Sequence, residues 1–383
     1  MNKTIKYIGY YDTILNDTDK RAASPAARTK MEYIYEVLLN IGYAVEIISM
    51  AHIDNESSDY RRSRSQILKE NLKVVYTPSI GRKNKLASVF RIIWSNIWLI
   101  YYLLKTVRKD DNVLVYHSLG TNLWVYLAWK LIKFNLILEV EEIYTDVIKK
   151  NTIEQFLELF TIKNADTYIF STILLNDKIN LKGKPFVVCN GTYKEEFARN
   201  SEFTDDKIHV VYSGTFSLEK GGAATAIETA LFLNKDYHIH IIGFGSEEEK
   251  EYLIRLIKEV SKQTECRITY EGCFFGEDYI RFIQCCDIGL STQAPDLDYN
   301  DSSFPSKILS YMSNGLRVVS VRIKAVETSA IASALFFYDQ PHPKEIANTI
   351  KRINLNEIYD SRNLIRNLDV EFRHNLQSII RKN

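Results

Sequence analysis

Lys307 is the residue around which a reactive site is most readily assembled. It lies in residues 300–320, where Ser302, Ser303, Phe304, Pro305 and Ser306 precede it and Ser310 follows. That stretch reads as loop, short helix, turn and buried strand. Pro305 suits a first helical position, because its missing N–H would be unpaired there anyway. Ile308, Leu309 and Met312 give the helix an apolar face, and Gly315 supplies the stop. Free N–H groups, serine hydroxyls and an ammonium at a helix start form an anion site. An ordinary capped helix would carry the same local pattern, so the weight comes from two further loops. One is Gly214-Thr215-Phe216-Ser217-Leu218-Glu219-Lys220, after a strand expected over 208–212. The other is Gly243-Phe244-Gly245, after a strand over 238–242. Glycines at such ends let backbone approach a ligand, and Lys220 and Lys307 would then meet a diphosphate. Gly243-x-Gly245 lacks the third glycine of a dinucleotide fingerprint, which is Glu248, and alone describes a tight turn. Three loops on one theme in one domain say more.

The first half of the chain offers fewer reactive groups. His117 closes a buried strand over 113–116, where a lone histidine is more often a structural imidazole than a catalytic one. Glu141 and Glu142 close the next strand, where acids do not help folding, so Glu142 is a candidate base. Tyr10, Tyr11 and Arg28 flank the end of the first strand and are candidates for the acceptor side of a cleft.

These residues need a scaffold of alternating strands and helices. Strands are expected over 4–9, 44–48, 73–76, 113–116, 136–140, 168–170 and 186–189. Helices are expected from Pro25, over 86–107, up to Lys133 and over 153–163. Asn190-Gly191 reads as a linker, after which the alternation restarts, with Ser246 and Glu249 as a capping box. The alternation implies parallel sheets covered on both faces. The fold class is α/β, with two doubly wound, Rossmann-like units in tandem. The expected domains are 1–189, 190–360 and a solvated helix over 361–383 that packs back on the first.

A chain of 383 residues, 46% hydrophobic and 25% charged, fits a globular protein of two or three domains. The net charge of +1 hides an asymmetry: residues 61–109 hold twelve Lys or Arg and one acid, Glu70. Within them the segment 86–107 carries Trp94, Trp98, Tyr101 and Tyr102 among aliphatic residues, flanked by cations. That pattern suits peripheral contact of 82–109 with an anionic membrane. A core helix with a solvated rim is the alternative reading. Nucleic acid is not expected, because the aromatics alternate with aliphatics and not with basic residues. The run 92–104 is shorter than a membrane span needs. Five cysteines without metal-type spacing point to reduced thiols, and the N-terminus reads as a strand and not as a leader.

Gly-Thr-Phe-Ser-Leu-Glu-Lys-Gly from Gly214, Ile-Gly-Phe-Gly-Ser-Glu from Ile242 and Phe-Pro-Ser-Lys-Ile-Leu-Ser-Tyr-Met-Ser-Asn-Gly-Leu from Phe304 resemble glycosyltransferases of the GT-B fold. The nearest group is the bacterial family-four-like enzymes of capsule, exopolysaccharide and O-antigen synthesis. The Gly-Tyr-Tyr-Asp opening and Tyr-His-Ser-Leu-Gly also fit, and the likeness spans nearly the whole chain. It implies a cleft between two domains, the second binding a nucleotide-sugar, most simply a UDP-sugar, and the first a glycan or lipid-linked acceptor. It implies no metal and no other cofactor, and a cytoplasmic site at the inner membrane face. Gly214, Lys220 and 303–307 would hold the diphosphate, Gly243–Gly245 would approach the nucleoside, and His117 would lie near the donor sugar. The family's two glutamates, with seven residues between them, are Ser302 and Ser310 here, and its common arginine is Thr215.

Sugar transfer needs cations and N–H donors on the leaving diphosphate and a dry place for the acceptor hydroxyl. The resemblance implies retention of anomeric configuration. An inverting enzyme with Glu142 as base, a non-catalytic GT-B subunit and a nucleotide-sugar epimerase are the alternatives.

Overall fold

The computed structural model describes residues 3–13, 21–53, 59–81, 84–147, 152–198, 203–218, 221–293 and 303–380. The chain divides into two compact units, 1–190 with 370–383, and 191–369.

The first unit is built on an eight-stranded sheet. In chain order its strands are β1 (Thr4–Gly9), β2 (Ala44–Ser49), β4 (Arg64–Lys69), β5 (Leu72–Tyr76), β7 (Asn112–Tyr116), β8 (Asn135–Val140), β9 (Thr167–Phe170) and β10 (Phe186–Val188). A separate two-stranded ribbon pairs β3 (Tyr60–Arg61) with β6 (Ser79–Ile80). The sheet order is β10-β9-β8-β7-β1-β2-β5-β4, parallel except for the edge strand β4. The helices are α1 (Pro25–Asn40), α2 (Lys85–Thr106), α3 (Asn122–Ile132), α4 (Tyr144–Val147), α5 (Thr152–Ile162) and α6 (Ile173–Ile179). Strands buried on both faces account for continuous apolar runs such as Val113-Leu114-Val115. The antiparallel β4 alternates half-buried and exposed residues, as an edge strand does.

Helix α2 is turned inside out. Its polar Ser95 and Asn96 are buried, and Asn96 donates to the Gly120 carbonyl at 3.1 Å. Leu99 and Leu103 enter the core, and the Tyr102 hydroxyl donates to Glu46 at 2.8 Å. Leu86, Val89, Phe90, Ile93, Ile97, Tyr101 and Leu104 are exposed at helical spacing, forming one apolar stripe. By length and composition this 22-residue helix could span a bilayer, which the shorter run counted in the sequence did not suggest.

The second unit holds six parallel strands: β11 (Ile208–Thr215), β12 (Tyr237–Phe244), β13 (Arg267–Gly272), β14 (Ile288–Ser291), β15 (Arg317–Val321) and β16 (Phe336–Tyr338). Their order is β13-β12-β11-β14-β15-β16, the dinucleotide-fold order, with its topological switch between β11 and β14. Around them lie α7 (Gly222–Thr229), α8 (Glu247–Val260), α9 (Gly276–Gln284), α10 (Lys307–Ser313), α11 (Lys324–Glu327), α12 (Pro343–Lys351) and α13 (Ser361–Ile379). The Ser246–Glu249 capping box forms as expected. Helix α13 is amphipathic, with Ile365, Leu368, Phe372 and Leu376 buried on one row. Its residues up to Asp369 belong to the second unit and the rest to the first.

Candidate functional site

Ligands of open parallel sheets bind outside the carboxyl ends of the strands at the switch point. In the second unit that point carries Gly214, Tyr212, Thr292 and Lys307. Gly214 pairs in register with Gly243, and Thr215 with Phe244. Gly243 has φ of 142°, and a Cβ there would stand 1.8 Å from the Gly214 carbonyl oxygen, so no other residue fits. The backbone is thereby bare at the ends of two adjacent strands. Phe244 and Thr215 are exposed beside it, and Gly245 packs against Phe216 and the Glu249 carboxylate.

Lys307 reaches this bare edge. Its Nζ sits 4.3 Å from the centre of the Tyr212 ring and 3.1 Å from the point where a Gly214 Cβ would be. Among the described residues no carboxylate pairs with it. Burial pulls its ammonium from the ordinary 10.5 down to about 8. A cation held against an aromatic face, short of a counter-ion and next to bare backbone, is a fitting for an anionic ligand.

Helix α10 sets that position. Ile308, Leu309, Tyr311 and Met312 are buried on the sheet. Gly289 on β14 lets the Tyr311 ring lie flush, since a Cβ there would come within 2.4 Å of it. The Tyr311 hydroxyl accepts from the Ser213 N–H at 2.7 Å, which ties α10 to the end of β11. Gly222, at the start of α7, is similarly pressed to β14: Thr292 Oγ1 donates to its carbonyl at 2.7 Å.

The structure corrects the expected helix start. α10 begins at Lys307, with Ser306 as N-cap. The Pro305 carbonyl accepts from the Ile308 N–H at 3.1 Å in a turn before the helix, so Pro305 precedes the first helical position. The seven-residue helix contributes a small dipole at most, so the charge offered at this point is that of the Lys307 ammonium. Phe304 is buried, Ser303 and Pro305 are half-buried, and Ser306 is exposed. Ser310 is committed elsewhere, its hydroxyl lying 3.0 Å from that of Tyr279. Lys220 and Ser302 lie outside the described residues.

In the first unit the switch falls between β1 and β7. Tyr10 stands there: its hydroxyl would lie 2.8 Å from a Cβ on Gly120, next to the His117 loop. Tyr11 does not line an open surface. It is 2% exposed and its hydroxyl points to Glu32 at 3.4 Å. Arg28 Nε is 3.7 Å from the same carboxylate. His117 is buried, with Nε2 3.3 Å from Glu158 and its ring 5.0 Å from that of Tyr144. Glu158 in turn accepts the N–H groups of Tyr144 and Thr145 at 2.7 and 2.9 Å. Burial drives the His117 imidazole down to about 3, so it is neutral. Glu142 is half-buried next to the two tyrosines at 116 and 144, whose phenols are pushed upward chiefly by burial and further by neighbouring carboxylates, Glu142 among them.

Two clusters escaped the sequence reading. One is Lys30, 3.2 Å from Glu141 and 2.5 Å from the Cys189 carbonyl. Next to it the Glu139 carboxyl, bonded to the Tyr7 hydroxyl, is raised to about 8 by burial and by the Glu141 charge. Glu139 was hidden inside an apolar strand pattern. The other is His209, His238 and His240, all buried. The alternation His-Ile-His within one strand was its available signal.

No family model and no curated protein matches the sequence. Solved structures do resemble it. The E. coli structure described as trehalose-6-phosphate bound with UDP-2-fluoro glucose aligns over 99% of this chain and 98% of its own, at TM-score 0.68 and 12% identity. Sucrose-phosphate synthase from Thermosynechococcus elongatus covers 99% and 95%, at TM-score 0.63 and 13% identity. A UDP-forming trehalose-phosphate synthase from Burkholderia xenovorans, in complex with glucose-6-phosphate, covers 98% and 97%, at TM-score 0.64 and 10% identity. At such low identity the likeness establishes architecture: this chain has the GT-B fold of these proteins, two doubly wound α/β units in tandem.

Proposed function

We propose that the protein is a glycosyltransferase that takes its sugar from a nucleotide diphosphate donor, a UDP-sugar in the simplest reading. The observation that carries this is Lys307, an ammonium without a carboxylate partner among the described residues, held over Gly214 at the switch point of the second unit. The fold shared with a structure that holds UDP-2-fluoro glucose supports the nucleotide. As the anomeric carbon gains oxocarbenium character, negative charge grows on the departing diphosphate, and Lys307 neutralises it. The bare backbone at Gly214 and Gly243 admits the phosphates and the nucleoside, with Lys220, Ser302 and Ser303 as further donors. The first unit takes the acceptor, with Tyr10 at its switch point. Neutral His117 is set to accept or donate one hydrogen bond near the donor sugar, and the reaction retains configuration. Glu142 as a base would make it invert.

The acceptor reading is a lipid-linked glycan at an anionic membrane, in surface-polysaccharide synthesis. The outward apolar stripe of α2 supports it, with exposed Lys85, Lys105, Arg108 and Lys109 at the helix ends. Leu99, Leu103 and the Tyr102–Glu46 bond hold α2 to its own sheet, so the helix lies on the bilayer and not across it. A soluble sugar phosphate is the second reading, favoured by the glucose-6-phosphate in one of the similar structures. The test is UDP release from a panel of UDP-sugars with membrane extract or with sugar phosphates. Release that needs extract and is lost in Lys307→Ala supports the first reading. Release with sugar phosphate alone supports the second. No release, with Lys307→Ala binding UDP as wild type does, overturns both and leaves a non-catalytic subunit.

A further inference from the structure

At the amino ends of β11 and β12, away from Gly214 and Gly243, lie three buried imidazoles. His238 and His240 share one face of β12, and His209 pairs in register with His238. One nitrogen of each lies within 4.8 Å of those of the other two.

Their hydrogen bonds fix which nitrogens carry protons. His209 Nε2 is 2.7 Å from the Asp205 carboxylate, and His240 Nδ1 is 2.9 Å from Glu271. A carboxylate can only accept, so each of those nitrogens holds the N–H. The opposite nitrogens, His209 Nδ1 and His240 Nε2, then both present lone pairs, and they face each other at 2.9 Å. The third ring follows the same logic. The Thr269 hydroxyl gives its single proton to Glu271, so it accepts from His238 Nε2–H at 2.8 Å. That leaves His238 Nδ1 as a lone pair too, and it is buried without a hydrogen-bond partner. Two opposed lone pairs at that distance repel unless a positive charge sits between them.

We propose that His209, His238 and His240 bind a divalent transition-metal ion of the zinc type. Three neutral imidazoles, each with its far nitrogen anchored to a carboxylate or hydroxyl, form the usual arrangement of metal-bound histidines. Two zinc–nitrogen bonds of about 2.0–2.1 Å bridge nitrogens about 2.9–3.4 Å apart, depending on the angle between them. Phe203 stacks on His209 and His240 at 4.0 and 4.9 Å, and Phe282 meets His240 edge-on at 5.3 Å, so aromatic rings wall the three imidazoles and a water completes a four-coordinate ion. Its place at the sheet's opposite end makes it structural, joining β11, β12 and β13 through Glu271. The rival occupant is a proton shared between His209 and His240.

The test is metal analysis of the purified full chain, then removal by chelator and titration with Zn2+ and Co2+. The expected result is about one metal ion per chain, a melting temperature lowered by chelation and restored by Zn2+, and strong visible absorption from four-coordinate Co2+. Asp205→Asn, at a partly exposed carboxylate, is expected to weaken Zn2+ binding about 10–100-fold while leaving the fold intact. His238→Ala is expected to abolish the cobalt spectrum. Metal-free protein whose melting temperature does not respond to Zn2+, with an imidazole 15N spectrum showing an imidazolium, would overturn the proposal in favour of the shared proton.

Discussion

Exchanging Lys307 for Met is expected to make the empty protein more stable and a poorer nucleotide binder. Burial lowers the ammonium from 10.5 to about 8, which disfavours the charged form by about 3 kcal/mol at about 1.36 kcal/mol per pH unit. Met keeps the apolar stem and removes the charge. The Tyr212 cation–π contact, worth about 0.5–2 kcal/mol, is lost with it. The net expectation is a gain of about 1–2 kcal/mol at pH 7, read by urea unfolding. The sign of the pH dependence follows from the same shift. Between about 8 and 10.5 the folded chain binds fewer protons at this site than the unfolded one, so wild-type stability rises with pH across that window. Lys307→Met should lack the rise, and its advantage should vanish near the top of the window. A bound diphosphate restores the ammonium, so wild type should take up protons on binding UDP just above pH 8, seen by calorimetry in buffers of different ionisation enthalpy. Loss of a charged hydrogen bond worth about 1.5–3 kcal/mol weakens UDP about 10–100-fold in the variant. If Lys307→Met unfolds more easily at pH 7, or binds UDP as wild type does, the reasoning about an uncompensated cation is wrong.

Gly243→Ala should cost at least about 3 kcal/mol in urea unfolding and abolish UDP binding, because its Cβ would collide with the Gly214 carbonyl. Gly183→Ala, with φ of 61° and open space around it, should cost only about 1 kcal/mol. His117 is buried neutral, so wild-type stability should fall by up to about 1.4 kcal/mol per pH unit as pH drops below 6.5 toward 3. His117→Gln should flatten that slope, and an unchanged slope would show that the imidazole is charged in the fold. Leu86→Glu with Val89→Glu should leave the melting temperature within about a degree, since both side chains are exposed, yet lower partition onto anionic vesicles at least about tenfold. Equal binding by this variant would remove α2 from the membrane reading.

The alternation of strands and helices was plain in the sequence because strands buried on both faces are written as unbroken apolar runs, as in 113–116 and 318–319. The edge strand β4 was not, since Arg64–Lys69 is half-exposed and mixes charge with single apolar residues. Gly243 and Lys307 could be singled out as chemistry, but not the reason for Gly243: that depends on a carbonyl 29 positions earlier in the chain, brought within contact by strand pairing. The same holds for Ser310, whose partner Tyr279 lies on another helix. Pro305 misled because a proline before a helix and a proline inside its first turn look alike until the carbonyl partners are known. The histidine cluster needs the β11–β12 register before His209 meets the pair at 238 and 240.

Helix α13 has a consequence for biosynthesis. The first unit includes residues 370–383, and Phe372 stacks on Tyr33 at 5.8 Å. A ribosome that has completed residues 1–190 has therefore not yet made every piece of that unit. The nascent amino-terminal half must wait through the synthesis of 179 further residues, 191–369, before its last apolar side chains arrive. During that interval the Tyr33 ring lacks the Phe372 ring that later stacks on it.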